Sequence, residues 1–253
     1  RGKVPPASAF VSLEGGLGEL VEAIVRAIPE PCRLLETGVE SLSRAPGGYR
    51  AELRGGGSIE ARSVILAIPA PRAADLLRAL DSGLAGRLSA LRLASSATVL
   101  LGYPRKRVRH PLNGYGLLVP RTEGLATSAC TFMSTKFPGR APEGHVLLRG
   151  FLGGARDPDV LRLSDEVLAQ RLREEMGPVL GLEGDPVLSR VYRWSEATPQ
   201  MAVGHLGWMA EVEKELRRER GLFLAGGGFR VTGIPDCIAD GRASASHAIA
   251  ALV

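Results

Sequence analysis

The residues best placed for chemistry lie at the end of the chain. A short apolar run, Leu222–Ala225, is followed at once by Gly226, Gly227 and Gly228. A loop containing Gly233 and Pro235 then leads to Asp236, a residue type that caps helix N-termini. Strand, glycines and helix start together present bare backbone N–H groups and a positive dipole end to an anionic or electron-rich ligand. The same order is equally well read as a strand–turn–helix that only packs tightly. Neither Gly16-x-Gly18 nor Gly226-x-Gly228 completes G-x-G-x-x-G, because Val21 and Val231 stand where the third glycine is required. The phosphate-binding dinucleotide fingerprint is therefore absent from this sequence.

Other reactive residue types form no constellation. The histidines, His110, His145, His205 and His247, are far apart and lack carboxylates at ligand spacing, which excludes an evident metal site. Cys32, Cys130 and Cys237 show no C-x-x-C and no disulfide framework, so a reducing, cytoplasmic compartment is the simplest context. Ser12, Ser164 and Ser244 lie in no nucleophile elbow. The basic run Arg105–His110 has no interleaved aromatics and reads as a solvated loop, not as a nucleic-acid contact. Tyr115-Gly116 and Phe151-Leu152-Gly153-Gly154 set aromatics beside bare backbone, the makings of a flat apolar slot. No residue there stands out as a general acid or base. Chemistry carried by a cofactor, with the protein supplying shape and electrostatics, fits that absence.

The elements that must position these residues are readable from periodicity. Leu17, Leu20, Val21, Ile24, Val25 and Ile28 mark an amphipathic helix that Pro29 stops. Strands are predicted at 33–43, 48–54 and 59–68, the last ending in the run Val64–Ile68 that suits a strand covered on both faces. Pro69-Ala70-Pro71 opens helices over 71–80 and 84–91, and the first domain boundary is placed there. A strand-rich middle follows at 97–103, 115–119, 125–132, 145–152 and 186–194, with a helix from Ser164 to Met176. Residues 206–218 and 236–253 are helical. The domains expected are 1–70 with 201–253, and 71–200.

The chain has 253 residues, 45% of them hydrophobic, enough for a large core, and a net charge of +5 that favours carboxylate- or phosphate-bearing ligands. No apolar run reaches the length of a membrane span, and RGKVPPASAF has no signal-peptide core.

The segment Gly226–Gly241, with Gly-Ile-Pro-Asp-Cys-Ile-Ala-Asp-Gly at 233–241, resembles the C-terminal flavin motif of protoporphyrinogen oxidases, within the wider amine-oxidase-like FAD family. FVSLEGGL at 10–17, VILAIPAP at 64–71, GYGLLVP at 114–120 and TPQMAVGH at 198–205 resemble further family segments in the expected order. The resemblance implies an α/β fold: part of an FAD-binding domain joined to a mixed-sheet substrate domain. It implies FAD as cofactor, six-electron oxidation of a porphyrinogen, O2 as acceptor and release of H2O2. Carried over by motif, Val39 would meet the adenine, and Thr232, Gly233 and Ile234 would lie along the flavin with Trp194 beside it. Tyr115, Gly116, Leu118, Thr131 and Phe151 would line the tetrapyrrole slot, and Asp236 would cap the last helix. Val231, Met201 and Thr131 depart from the family pattern. The phosphate-binding glycines are expected on an N-terminal segment outside this chain. The alternatives are another amine-oxidase-like or phytoene-desaturase-like FAD enzyme, and a non-catalytic tetrapyrrole-binding module. The choice between protoporphyrinogen and coproporphyrinogen, a homodimer, and peripheral attachment at the inner membrane are left open.

Overall fold

A computed structural model describes residues 10–252. The sequence reading of the first nine residues lies outside them. In chain order the elements begin with α1 (Gly18–Ala27), β1 (Val39–Ala45), β2 (Gly48–Leu53), β3 (Ser58–Ala61), β4 (Val64–Leu66), α2 (Ala70–Leu77) and α3 (Ser82–Ser89). The middle holds β5 (Leu93–Pro104), β6 (Gly116–Leu118), β7 (Thr127–Phe132), α4 (Met133–Lys136), β8 (His145–Gly153), α5 (Asp165–Leu180) and β9 (Leu188–Pro199). The chain ends with α6 (His205–Leu216), β10 (Leu222–Leu224) and α7 (Ile234–Ala250). Helices and sheets are thus mixed, as expected. Among the described residues no helix is long and apolar enough to cross a membrane.

The chain forms two compact units. One takes the residues up to Arg33 together with Ser95–Ser195. Its sheet has the order β6-β7-β8-β5-β9, antiparallel along β6-β7-β8-β5. Alternation along the strands gives it two different faces. Val99 and Leu101 of β5, Cys130 and Phe132 of β7, and Leu148 and Leu152 of β8 enter one core with Leu168, Leu172, Met176 and Leu180 of α5. Gly150 has no side chain because Leu172 fills the space a Cβ would take. Burying four such side chains stabilises by roughly 6–12 kcal/mol, so packing and not propensity holds α5 in place. The Ser164 hydroxyl caps α5 by accepting the Val167 N–H at 3.3 Å. The helix runs past the predicted Met176 to Leu180 because Pro178 falls in its last turn, and Gly181 closes it at φ 60°. The opposite face of the sheet carries the half-open positions.

The other unit comprises Leu34–Ala94 and the chain from Glu196 onward. It holds the antiparallel sheet β1-β2-β3 and the parallel pair β10-β4. Three expectations are corrected here. The single strand at 59–68 is two strands in two sheets, parted at Arg62-Ser63, where the Ser63 hydroxyl donates to the Gly221 carbonyl at 2.9 Å. Its second half is not covered on both faces, since Ile65 keeps 37% of its surface exposed. The domain boundary is not at Pro69–Pro71 either. Pro69 and Pro71 set the start of α2, whose Ala70, Ala73, Ala74 and Leu77 share one core with Leu66, Leu224 and Phe229. The chain leaves this unit only after Ala94, while residues up to Arg33 belong with the other. The third correction is at the end. α7 begins at Ile234 with Gly233 at the cap position and no side chain capping it. Pro235 has the φ a first helical turn needs, which starts the helix two residues before Asp236. Asp236 lies inside that first turn, where its charge suits the dipole.

Candidate functional site

In the unit built on β4 and β10, the two parallel strands pair Leu222 with Val64, Phe223 with Ile65 and Leu224 with Leu66. Both then break into turns at the same end of the sheet. The carboxyl end of parallel strands is where ligands bind in open α/β sheets. A crevice of about 410 Å³ opens there, lined by Ile68 and Pro69 after β4, Gly227, Gly228 and Thr232 after β10, and Thr198 and Pro199 of the TPQM element. Two sequence segments widely separated along the chain thus meet in one cavity.

The glycines of this turn serve distinct needs. Gly226 adopts φ 91°, a conformation closed to most side chains, and its N–H donates to Asp240 Oδ2 at 2.7 Å. A Cβ on Gly228 would sit 3.0 Å from the Ile68 carbonyl oxygen, so the two turns approach as closely as bare backbone allows. Asp240 also pairs with Arg230 Nε at 3.3 Å, and Arg230 Nη2 donates to the Leu224 carbonyl at 3.1 Å. The buried Ser244 hydroxyl donates to the same carbonyl at 3.2 Å, tying α7 to β10. His205 contacts the Phe229 carbonyl through Nε2 at 2.9 Å and stacks on Trp208 at 5.1 Å, a packing role as read from the sequence. The named lining is apolar, threonyl or bare backbone and includes no acid or base. It offers shape, backbone and the N-terminal end of α7 to a flat ring.

Of the residues tied to a flavin by motif, Thr232 lines the crevice, Gly233 caps α7 and Ile234 is its half-exposed first residue. Val39 does not line it: it is the first residue of β1, opposite Leu53. Trp194 belongs to the other unit, where its indole N–H donates to the Thr98 hydroxyl at 3.2 Å.

In that other unit, strand register gathers the substrate-side residues on the face of the sheet away from α5. Gly116 pairs with Thr131, Thr131 with Arg149 and Arg149 with Leu100, forming one row. Leu118, Ala129, Phe151 and Thr98 form the next, which Trp194 extends through Thr98. Leu118 is 84% exposed and Trp194 50%, so apolar surface lies open. Gly116 is required, because a Cβ there would lie 2.9 Å from Thr131 Cα. Tyr115 stands just before β6, with its ring edge-on to Phe10 at 5.4 Å.

Sequence reasoning missed Arg149. It alternates with Phe151 on β8, and its guanidinium lies 4.8 Å from the Phe151 ring centre. Its Nε is buried with no hydrogen-bond partner. Burial lowers its pKa. The signal available was a lone arginine at an aromatic-facing position of an otherwise apolar strand. Cys130, on the opposite side of β7, is buried, and burial pushes its thiol up to about 12, so it is not a nucleophile at neutral pH.

Comparison with known proteins follows this geometry. The family model for flavin containing amine oxidoreductases matches residues 4–249. Coproporphyrinogen III oxidase of Bacillus subtilis (strain 168) is 34% identical over 241 residues, covering 95% of this chain and 51% of the relative. The chloroplastic protoporphyrinogen oxidase of Nicotiana tabacum is 30% identical over 236 residues, covering 88% of this chain and 43% of the relative. A crystal structure provisionally assigned as a protoporphyrinogen oxidase of Exiguobacterium sp. 255-15 superposes with TM-score 0.84 at 31% identity, covering 98% of this chain and 53% of that one. The chain spans about half the length of the curated relatives it matches most fully. With the family match running through both units, the chain belongs to the flavin containing amine oxidoreductases.

Proposed function

We propose that this chain supplies one side of an FAD site and a tetrapyrrole-binding sheet face to an enzyme that oxidises a porphyrinogen to a porphyrin. The observation that carries the reading is the crevice at the ends of β4 and β10, where Gly227, Gly228, Thr232 and Thr198 converge without an acid or base among them. Its residues fit a flavin: the bare backbone at Gly228 admits close approach, and α7 begins two residues after Thr232. When bound, FAD supplies the two-electron acceptor, with O2 as terminal oxidant.

The chain's own residues bind and orient. The backbone of Thr232–Ile234 lies along the ring system. The positive end of α7 favours negative charge on the reduced ring through a dipole fixed in advance. Asp240 and Arg230 hold the glycine turn in shape. On the sheet face, Phe151, Leu118 and Trp194 offer flat apolar surface to a macrocycle, and Gly116 leaves room for it. Loss of six electrons and six protons from a porphyrinogen consumes three O2 and yields three H2O2. The names of the relatives support the substrate class. A cytoplasmic location, with tetrapyrrole and O2 as small-molecule partners, goes with this reading.

The test is to incubate the chain with FAD and follow flavin absorbance through gel filtration, then to add porphyrinogen and record porphyrin fluorescence and O2 uptake. Stoichiometric co-elution and a fluorescence rise are expected. Protein eluting free of flavin overturns the cofactor assignment. Faster flavin reduction by an amine or a carotenoid than by porphyrinogen overturns the substrate.

A further inference from the structure

Arg149 is hard to explain as a structural residue. It sits in the central part of the five-stranded sheet, between Thr131 of β7 and Leu100 of β5. Its side chain is on the face away from α5, since its neighbours Leu148 and Gly150 face α5 and are buried. Among the described residues no carboxylate pairs with it, and its Nε is shut from water without an acceptor. A partly buried cation with an unmet donor is destabilising unless something else compensates. The ring of Phe151 at 4.8 Å compensates only in part, because a ring face accepts charge but leaves the planar donors of the guanidinium unmatched. What such a fork fits is a carboxylate, held through two parallel N–H donors.

The surroundings say where that carboxylate comes from. Thr131 stands beside Arg149 in the same cross-strand row and adds a hydroxyl. Phe151 lies two residues along β8, and Ala129 opposite Phe151 keeps the adjoining surface low. A ligand seated here therefore has a flat apolar body against Phe151 and an acidic arm reaching Arg149. Resting on the porphyrinogen reading given above, we infer that Arg149 binds a carboxylate side chain of the tetrapyrrole and so fixes the orientation of the macrocycle on the sheet. It is a substrate-binding residue and moves no proton.

Coproporphyrin, the fluorescent and stable oxidised tetrapyrrole with four carboxylates, is the probe, and its tetramethyl ester the uncharged control. Each is titrated by fluorescence into the 253-residue chain and into Arg149→Met, Arg149→Gln and Arg149→Lys variants. Thermal unfolding is recorded for each protein. The expected result is a dissociation constant for coproporphyrin raised tenfold or more in Arg149→Met and Arg149→Gln, with a smaller rise in Arg149→Lys. Binding of the ester is expected to be the same in all four. The Tm of Arg149→Met is expected to be equal to or above that of the parent, because the replaced group has no protein partner to lose. A parent chain that binds coproporphyrin no better than Arg149→Met overturns the assignment of Arg149 and leaves the porphyrinogen reading standing. Equal losses for acid and ester overturn the carboxylate contact in favour of packing on Phe151. A parent chain that binds neither porphyrin overturns the reading itself and Arg149's role with it.

Discussion

Replacing Gly228 by alanine tests whether close approach of two turns builds the crevice. The added methyl would lie 3.0 Å from the Ile68 oxygen and 3.2 Å from Pro69 Cα. Both are backbone atoms, and Pro69 is anchored because α2 starts immediately after it. Neither can swing aside like the end of a side chain, so β4's turn and β10's turn must separate. Overpacking of this kind costs about 1–3 kcal/mol. For a chain of this length each kcal/mol lowers Tm by about 2–4 °C, so a fall of roughly 2–12 °C is expected. Gly227→Ala is the internal control: its methyl would meet Cys237 Sγ and the Val231 oxygen at 3.4 Å, ordinary contact at a permitted φ. Gly226→Ala fails for a third reason, a φ of 91° in open space, with a cost of about 1–2 kcal/mol. The assay is thermal unfolding of the three variants, with flavin retention measured on each. If Gly228→Ala melts with Gly227→Ala and not clearly below it, the close approach of the turns is not what the glycine provides.

Three further outcomes follow from the same contacts. Asp240→Ala removes the acceptor of the Gly226 N–H and one partner of Arg230, so unfolding should become easier by about 1–3 kcal/mol and flavin retention should fall; Asp240→Asn, which keeps an acceptor, should lose less. Trp194→Phe keeps the ring but loses the bond to the Thr98 hydroxyl, so Tm should hardly change while coproporphyrin binding weakens a few-fold, as titration would register. Cys130 is neutral in the fold up to about pH 12 but ionises in the unfolded chain near its ordinary value of 9.0. Its contribution is therefore whole below pH 9 and declines above it, by about 1.4 kcal/mol at pH 10. Cys130→Ala should flatten that part of the Tm–pH curve, and an unchanged slope between pH 8.5 and about pH 10 would refute the assignment.

How far this fold could be read from sequence depended on whether a local signal had a single meaning. β5, β7 and β8 were legible because apolar residues alternate along strands with one buried face. Residues 59–68 were not, because Arg62-Ser63 carries no turn signature and the strand's division is imposed by Gly221, whose carbonyl accepts from both Ser63 Oγ and Val64 N. Pro69-Ala70-Pro71 was ambiguous in another way. Prolines that open a linker and prolines that open a helix look alike, and only the burial of Ala70, Ala73 and Ala74 identifies α2 as part of the core. At α7 the same proline signal was outweighed by a good capping residue placed two positions too late.

The site divides along similar lines. The glycines after β10 announced a close approach without saying to what, and only the fold brings Ile68 and Thr198 to them. The sheet face was half legible: the aromatics and Gly116 attract notice by type, but their assembly depends on register across β6, β7, β8 and β5. Arg149 was invisible because its meaning is relational. An arginine in a strand is ordinary when a carboxylate faces it. It becomes informative only once register sets Thr131 and Leu100 at its sides and leaves no acid within reach. A partly buried cation without a partner costs the fold stability, and a binding site is the natural reason for a chain to carry that cost.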